Sequence, residues 1–312
     1  MLKPTIFLMM LTWFVAAVAL PAVADDKATK NSETDTVTSN KEAAGTDDAG
    51  SDPMLKEMLR RMQDTKVRVI DRNGNETVAA LHPKPVFRYS DQPRFFYDAT
   101  LWVWTVDGLP VAMQKIEVTD FESGVQGKPK IPKWVHCFTS LSTDIVKCDW
   151  PDKSFEAKTP GVEYVPISKA PVPATTGNQR KLQIRQLSRR FSAEARRNKS
   201  TVTAMRVMPR PIFEFSDSSE MPIGAVFGLE ANGTNPDMML IIAADADADG
   251  TLVWKFGINR MTDTGAIIKL DETEVHLVET VPSQNTNVFD NWMFFFADRA
   301  ILTIDEQKAR GK

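Results

Sequence analysis

Three aspartates at alternate positions, Asp245, Asp247 and Asp249, followed by Gly250, match the first half of an EF-hand-type calcium loop. Calcium takes about six to eight oxygens, and such a loop closes on a bidentate glutamate at its twelfth position. That position here is Phe256, and both flanks read as strands rather than helices. The carboxylates therefore read as an acidic hairpin turn, with calcium binding as the alternative. No other cofactor is predicted.

Ser90-Asp91 and Ser216-Asp217 are the next polar pairs that could do chemistry. A hydrolytic serine needs a neighbouring base to take its proton, and neither pair has one close in sequence. Short polar side chains at a strand end more simply cap the turn that follows. A hydrolase remains an alternative in which Asp91, Asp217 or His136 act from a site formed only in three dimensions. His82, His136 and His276 stand singly, without the i+2 or i+4 partner that a metal site on one element shows. Cys137 and Cys148 lie eleven apart on what read as adjacent strands. They either pair as a disulfide in an oxidising compartment or serve as two buried thiols.

Two cysteines and three histidines in 312 residues exclude cysteine-rich zinc modules, iron–sulfur clusters and disulfide-dense mini-folds. The balance of 38 basic against 41 acidic side chains excludes a protein held to nucleic acid by bulk positive charge.

The two Ser-Asp pairs end longer matching stretches. Pro83, Pro85, Phe87, Ser90 and Asp91 recur as Pro209, Pro211, Phe213, Ser216 and Asp217 at a constant spacing of 126. Between them Lys84, Val86 and Tyr89 change only to Arg210, Ile212 and Phe215. Upstream, Arg60-Arg61 answers to Arg189-Arg190; downstream, Trp134 answers to Trp254. The two prolines fix φ and remove two donors, which suits an entry bend or a sheet edge. A motif present twice reads as architecture rather than as a single catalytic centre. The repeated pattern, together with the Gly233–Ile242 stretch GTNPDMMLII, resembles a group of exported proteins of unknown function from planctomycete bacteria. The resemblance covers most of residues 55–300 and implies export and two related halves. It implies no activity, cofactor or catalytic residue.

The elements that must carry these residues follow from periodicity. Leu55, Met58, Leu59 and Met62 form one apolar helical stripe, preceded by Asp52-Pro53 as N-cap and first turn. Ile184, Leu187, Phe191 and Ala195 predict a second helical stripe with arginines on its other faces. Strands are predicted over 66–70, 77–81, 111–118, 238–244, 251–258, 266–270 and 274–280, with tight turns at Asn73-Gly74, Asp107-Gly108 and Asn232-Gly233. Trp102 and Trp104 share one face of a strand whose other face is also apolar, which predicts core more than a binding platform. Helices do not alternate with the strands, so the sheets are expected to be antiparallel.

Residues 1–24 carry Lys3, an apolar run from Thr5 to Leu20 and the small-x-small ending Ala22-Val23-Ala24, the pattern of a removable leader cleaved near Ala24. No later segment is long and apolar enough to span a bilayer. Residues 25–52 hold eight acids, three lysines and no aromatic, leucine or isoleucine, which predicts a disordered acidic linker. The expected architecture is α+β, with two homologous halves packed as a pseudo-twofold pair. Each half is an amphipathic helix followed by an antiparallel sheet, over 53–157 and 178–303. A proline-rich connection over 158–177 joins them, and a polar tail follows over 304–312. The expected function is an exported, non-enzymatic binding or structural protein of the cell envelope. Its partner would be an envelope component or a small ligand, bound between the halves.

Overall fold

The computed structural model describes residues 52–119, 132–197, 201–216, 222–231, 233–281, 286–288 and 290–299. The leader, the linker up to Ser51, Asp217 and the polar tail lie outside the described residues. The first helix, α1 (Pro53–Gln63), starts at its sequence-marked cap. Asp52 Oδ1 accepts from the amides of Met54 at 3.0 Å and Leu55 at 3.1 Å. This satisfies two amides that the helix leaves unpaired, worth about 1 kcal/mol. Met54, Met58 and Met62 face the core, with Leu55 and Leu59 packed beside them.

After α1 come β1 (Lys66–Ile70), β2 (Glu76–Val78), β3 (Ala80–Leu81), β4 (Phe87–Asp91), β5 (Phe96–Val106), β6 (Leu109–Thr119), β7 (Lys133–Ser140), β8 (Ile145–Trp150) and β9 (Lys153–Glu156). Next are β10 (Val165–Pro166), α2 (Gly177–Ser188), β11 (Phe191–Arg196), β12 (Val202–Val207), β13 (Phe213–Ser216), β14 (Pro222–Glu230), β15 (Met238–Ala246) and β16 (Leu252–Arg260). The series ends with β17 (Gly265–Leu270), β18 (Thr273–Val278), β19 (Thr286–Val288) and β20 (Trp292–Arg299).

The second helix is shorter than its predicted stripe. Ile184 and Leu187 face the core from α2, but Phe191 and Ala195 belong to β11. Residues 191, 193 and 195 also fit a period of two, and six-residue pairing with β17 prevails over the helical period.

Every strand pairing is antiparallel, as expected. After α1, β1 pairs with β2 and β8, and β8 with β9, while β5 takes β3, β4 and β6, and β6 takes β7. After α2, β11 pairs with β12 and β17, and β17 with β18, while β14 takes β12, β13 and β15, and β15 takes β16. The pairings thus run in the same order in the two stretches. One difference is local: the stretch that is unbroken as β12 is divided into β2 and β3 at Ala79, whose amide bonds Val67 O. Two later segments cross over. β10, which follows the first stretch, lies on β16; β20, which follows the second, lies on β7.

Three apolar clusters result. One joins α1 and the β1–β8–β9 sheet to one face of β5, β6, β7 and β20; it buries Trp102, Trp104, Trp134 and Phe138. The tryptophan face of β5 is therefore core. A second joins α2, β11 and β17 to one face of β14, β15 and β16. The third draws Leu101, Val103, Met113 and Trp292 from one large sheet and Val226, Met239 and Ile241 from the other, and so lies between them. Among the described residues no helix is long and apolar enough to cross a membrane.

Candidate functional site

The repeated motif behaves as its alternation requires. Phe87 and Tyr89 stack at 5.6 Å, as do Phe213 and Phe215 at 6.4 Å. The Asp91 side chain, however, does not cap the backbone of the turn that follows it. It is buried and receives a short hydrogen bond from Arg94 Nε. Arg94 also donates through Nη1 to Asp237 Oδ1 at 2.6 Å and through Nη2 to Asn235 O at 3.1 Å. Ser90 offers its carbonyl to Thr234 Oγ1 at 3.1 Å.

These contacts border a polar group between the two large sheets that sequence reading did not anticipate. Lys115 and Glu117, on one face of β6, are 2% and 3% exposed. Tyr89 Oη donates to Glu117 Oε1 at 2.6 Å, and Asn235 Nδ2 donates to the same oxygen at 3.1 Å. Lys115 Nζ donates to Asn235 Oδ1 at 2.7 Å and to Met261 O at 3.1 Å. Burial holds the Glu117 carboxyl above its usual range, opposed by the charge of Lys115 and the hydrogen bond from Tyr89. Burial likewise pushes the Tyr89 hydroxyl well up. Arg94 and Lys115 thus face three carboxyl groups, those of Asp91, Asp237 and Glu117. Apart from the partly exposed Arg94 the group is buried, and its polar atoms are largely spent on one another, Asp91 Oδ1 excepted, so it ties the two sheets together. The signal that could have revealed it is the pair of charges at i and i+2 in a strand that is otherwise apolar on both faces.

Other predicted chemistry falls elsewhere. His136 lies on the opposite face of its strand from Cys137, stacked on Phe295 at 4.9 Å and bonded through Nδ1 to Gln114 Nε2 at 2.7 Å. Asp91 and His136 are thus separated by a sheet and form no hydrolytic pair. Both cysteines are free and buried. Cys137 faces the cluster between the sheets and Cys148 the cluster beneath α1, so the candidate disulfide is not formed. The Asp245–Asp249 stretch is a hairpin turn between β15 and β16. Asp245 pairs with Lys255 at 2.8 Å, and Asp249 Oδ1 accepts the Thr251 amide at 2.9 Å. Among the described residues no group of three or more histidine, cysteine or acidic side chains is arranged to hold a metal ion.

The open site is a cleft of about 550 Å³ beside β16. It gathers Arg72 from the β1–β2 turn, Thr143, the 160–164 connection, Ile258 and Asn259 from β16, His276 from β18, and Asn291. Its size suits a small ligand. Arg72 and Glu163 are exposed, and among the described residues neither makes an ion pair. Asn259 is spent, donating to Ser140 O at 2.7 Å. Burial, then the charge of Arg260, holds His276 below its usual range. Burial, then Asp245, raises Tyr164.

The cleft exists because residues 161–164 leave the strand edge. β10 pairs only with Phe256 and Lys255. The amides of Gly161 and Val162 turn to Ser142 O instead, at 2.8 and 3.3 Å. Two hydrogen bonds fix the direction of the β16 backbone: Met261 N–H reaches Asp237 O beside β15, and Trp254 O accepts from Ile167 on the opposite side. Backbone groups of successive residues alternate, so the N–H and C=O of Ile258 point away from β15, toward the cleft it lines.

No protein-family model matches this chain, and comparison with curated proteins and with solved structures gives no match.

Proposed function

We propose that this chain is an exported, non-enzymatic binding protein, built from two copies of one α+β unit around a pseudo-twofold axis. Its ligand occupies the cleft where the copies and their connection meet. Export rests on the leader pattern of residues 1–24 and on the resemblance to exported planctomycete proteins. Four features support the duplication: the 126-residue spacing, the matching order of pairings, the exchange of β10 and β20, and a reciprocal contact at the hairpins. A Cβ on Gly108 would lie 2.7 Å from Ser216 O, and one on Gly233 would lie 3.4 Å from Asp91 Oδ1. Each hairpin thus rests on the Ser-Asp end of the other copy.

The observation that carries the binding reading is the contrast between two polar regions. The charged cluster between the sheets is largely buried and its charges are engaged with one another, while the cleft presents Arg72 and Glu163 exposed and, among the described residues, without ion pairs. The test is a melting screen of the full chain against metals, glycans and common metabolites, repeated on Arg72→Ala and Glu163→Ala. A stabilising ligand whose effect these variants diminish supports the reading. Turnover of a substrate, abolished by substitution in the cleft, would replace binding with catalysis.

A further inference from the structure

β7 and β16 hold corresponding places in the two order-matched stretches, yet their outer edges are covered differently. On β7, β20 pairs without interruption from Thr139 to Val135, with Met293 opposite Phe138. The parity is the same as on β16: Leu141 N–H bonds Val111 O on the inner side, and Ser140 N–H bonds Asn291 O on the outer side. Phe138 therefore points its backbone outward to Met293. Ile258 is its counterpart and points outward into the cleft. In register it pairs only with Leu240, on its inner side. Its neighbours are accounted for. Phe256 is opposite Val165, and the Arg260 amide bonds Asn259 Oδ1 at 2.8 Å.

We infer that the cleft is a strand-addition slot for a short extended peptide, which exchanges a backbone pair of hydrogen bonds with Ile258 as Met293 faces Phe138. The inference deepens the binding reading and rests on it, and on β7 and β16 being counterparts. Strand addition reads backbone, so it tolerates many side chains. What the rest of the cleft adds is a pair of opposite charges. The Arg72 guanidinium suits a terminal carboxylate in its forked geometry, and the Glu163 carboxylate suits a terminal ammonium. The two charges favour a ligand that is itself doubly charged and neutral overall, as a peptide with free ends is. Thr143 and His276 offer further polar contacts along the wall.

The experiment is amide hydrogen exchange on the full chain, read at Ile258 with Phe138 as internal control. Without ligand, Ile258 exchanges faster than Phe138. Millimolar trialanine slows Ile258 by about tenfold and leaves Phe138 unchanged. Trialanine methylated at its amide nitrogens gives no such protection. Arg72→Ala, an exposed substitution, weakens trialanine binding by about tenfold but changes the binding of the C-terminal amide little. The inference is overturned if Ile258 is already as protected as Phe138, or if saturating trialanine leaves it unmoved. It is also overturned if the methylated peptide protects equally well. Protection of the cleft by maltose but not by trialanine would sink the peptide and keep the binding site. If no compound in the melting screen acts through the cleft either, the binding reading falls as well.

Discussion

Arg94 donates to Asp237 at 2.6 Å across 143 positions of chain while its other edge holds Asp91, three residues away. The guanidinium thus ties the end of β4 to the loop that precedes β15. Arg94→Met leaves two buried carboxylates without their cation. It is expected to lower unfolding free energy by about 3 kcal/mol, measured by urea denaturation. Arg94→Lys should recover only part of this, because a point charge cannot serve both partners in a fork. A loss well under 1 kcal/mol for the methionine variant would show the tie to be unimportant.

Glu117 gives a pH dependence with a definite sign. Its folded-state carboxyl titrates above the ordinary value of 4.5, so the folded chain binds the proton more tightly than the unfolded chain. Stability from this group is therefore full below the ordinary value and falls as pH rises through the raised one. Glu117→Gln removes that fall. The stability of the variant relative to the native chain should increase from pH 5 to pH 8, measured by paired melts. A difference that stays flat over this window would mean that Glu117 ionises freely where it is buried.

Glycine substitutions separate backbone strain from contact between the β5–β6 hairpin and β13. Gly74 and Gly108 both have positive φ, +84° and +80°, but a Cβ meets nothing at Gly74 and meets Ser216 O at 2.7 Å at Gly108. Gly74→Ala should cost about 1–2 kcal/mol from conformation alone. Gly108→Ala should cost at least about 1 kcal/mol more, because a backbone carbonyl must move. Equal losses would argue against close packing of this hairpin on β13.

Both thiols should resist modification in the native chain. Burial pushes Cys137 up to about 12 and Cys148 well above its usual value, which leaves little thiolate to react. Ellman's reagent at pH 8 should detect neither cysteine until denaturant is added, and then both. Detection of neither after unfolding without reductant would mean that they pair after all.

The acidic hairpin yields a direct check on calcium. Asp245 is engaged by Lys255, and Asp249 by the Thr251 amide. Millimolar calcium should leave the melting midpoint of the full chain where it is, and a clear rise would restore the calcium reading.

The parts of the fold that depend on local pattern were legible. Asp52-Pro53 marks the start of α1, and Asn73-Gly74 marks its turn, because both act on backbone within a few residues. The end of α2 was not, since Phe191 and Ala195 satisfy two periods and only pairing with β17 decides between them. The cluster around Glu117 was hidden for a deeper reason. Its members lie far apart in sequence, Lys115 and Met261 by 146 positions, and a charge in a strand does not reveal what faces it. The stretch GTNPDMMLII stood out in sequence, and it contains the two residues, Asn235 and Asp237, that enter this cluster. The cleft beside β16 was not foreseen; its chemistry depends on residues 161–164 departing from a strand edge, which no periodicity records.

The cross-covering of β7 by β20 bears on the order of events at synthesis. β20, which covers the outer edge of β7, lies far along the sequence from it, Trp292 bonding Cys137 across 155 positions, so a ribosome must make β8 to β19 before that edge can be covered. Until then β7 keeps an unsatisfied outer edge, and contacts of such long sequence separation form slowly. A polypeptide arranged in this way leaves that edge open to stray pairing for longer than a sheet closed by neighbouring strands would.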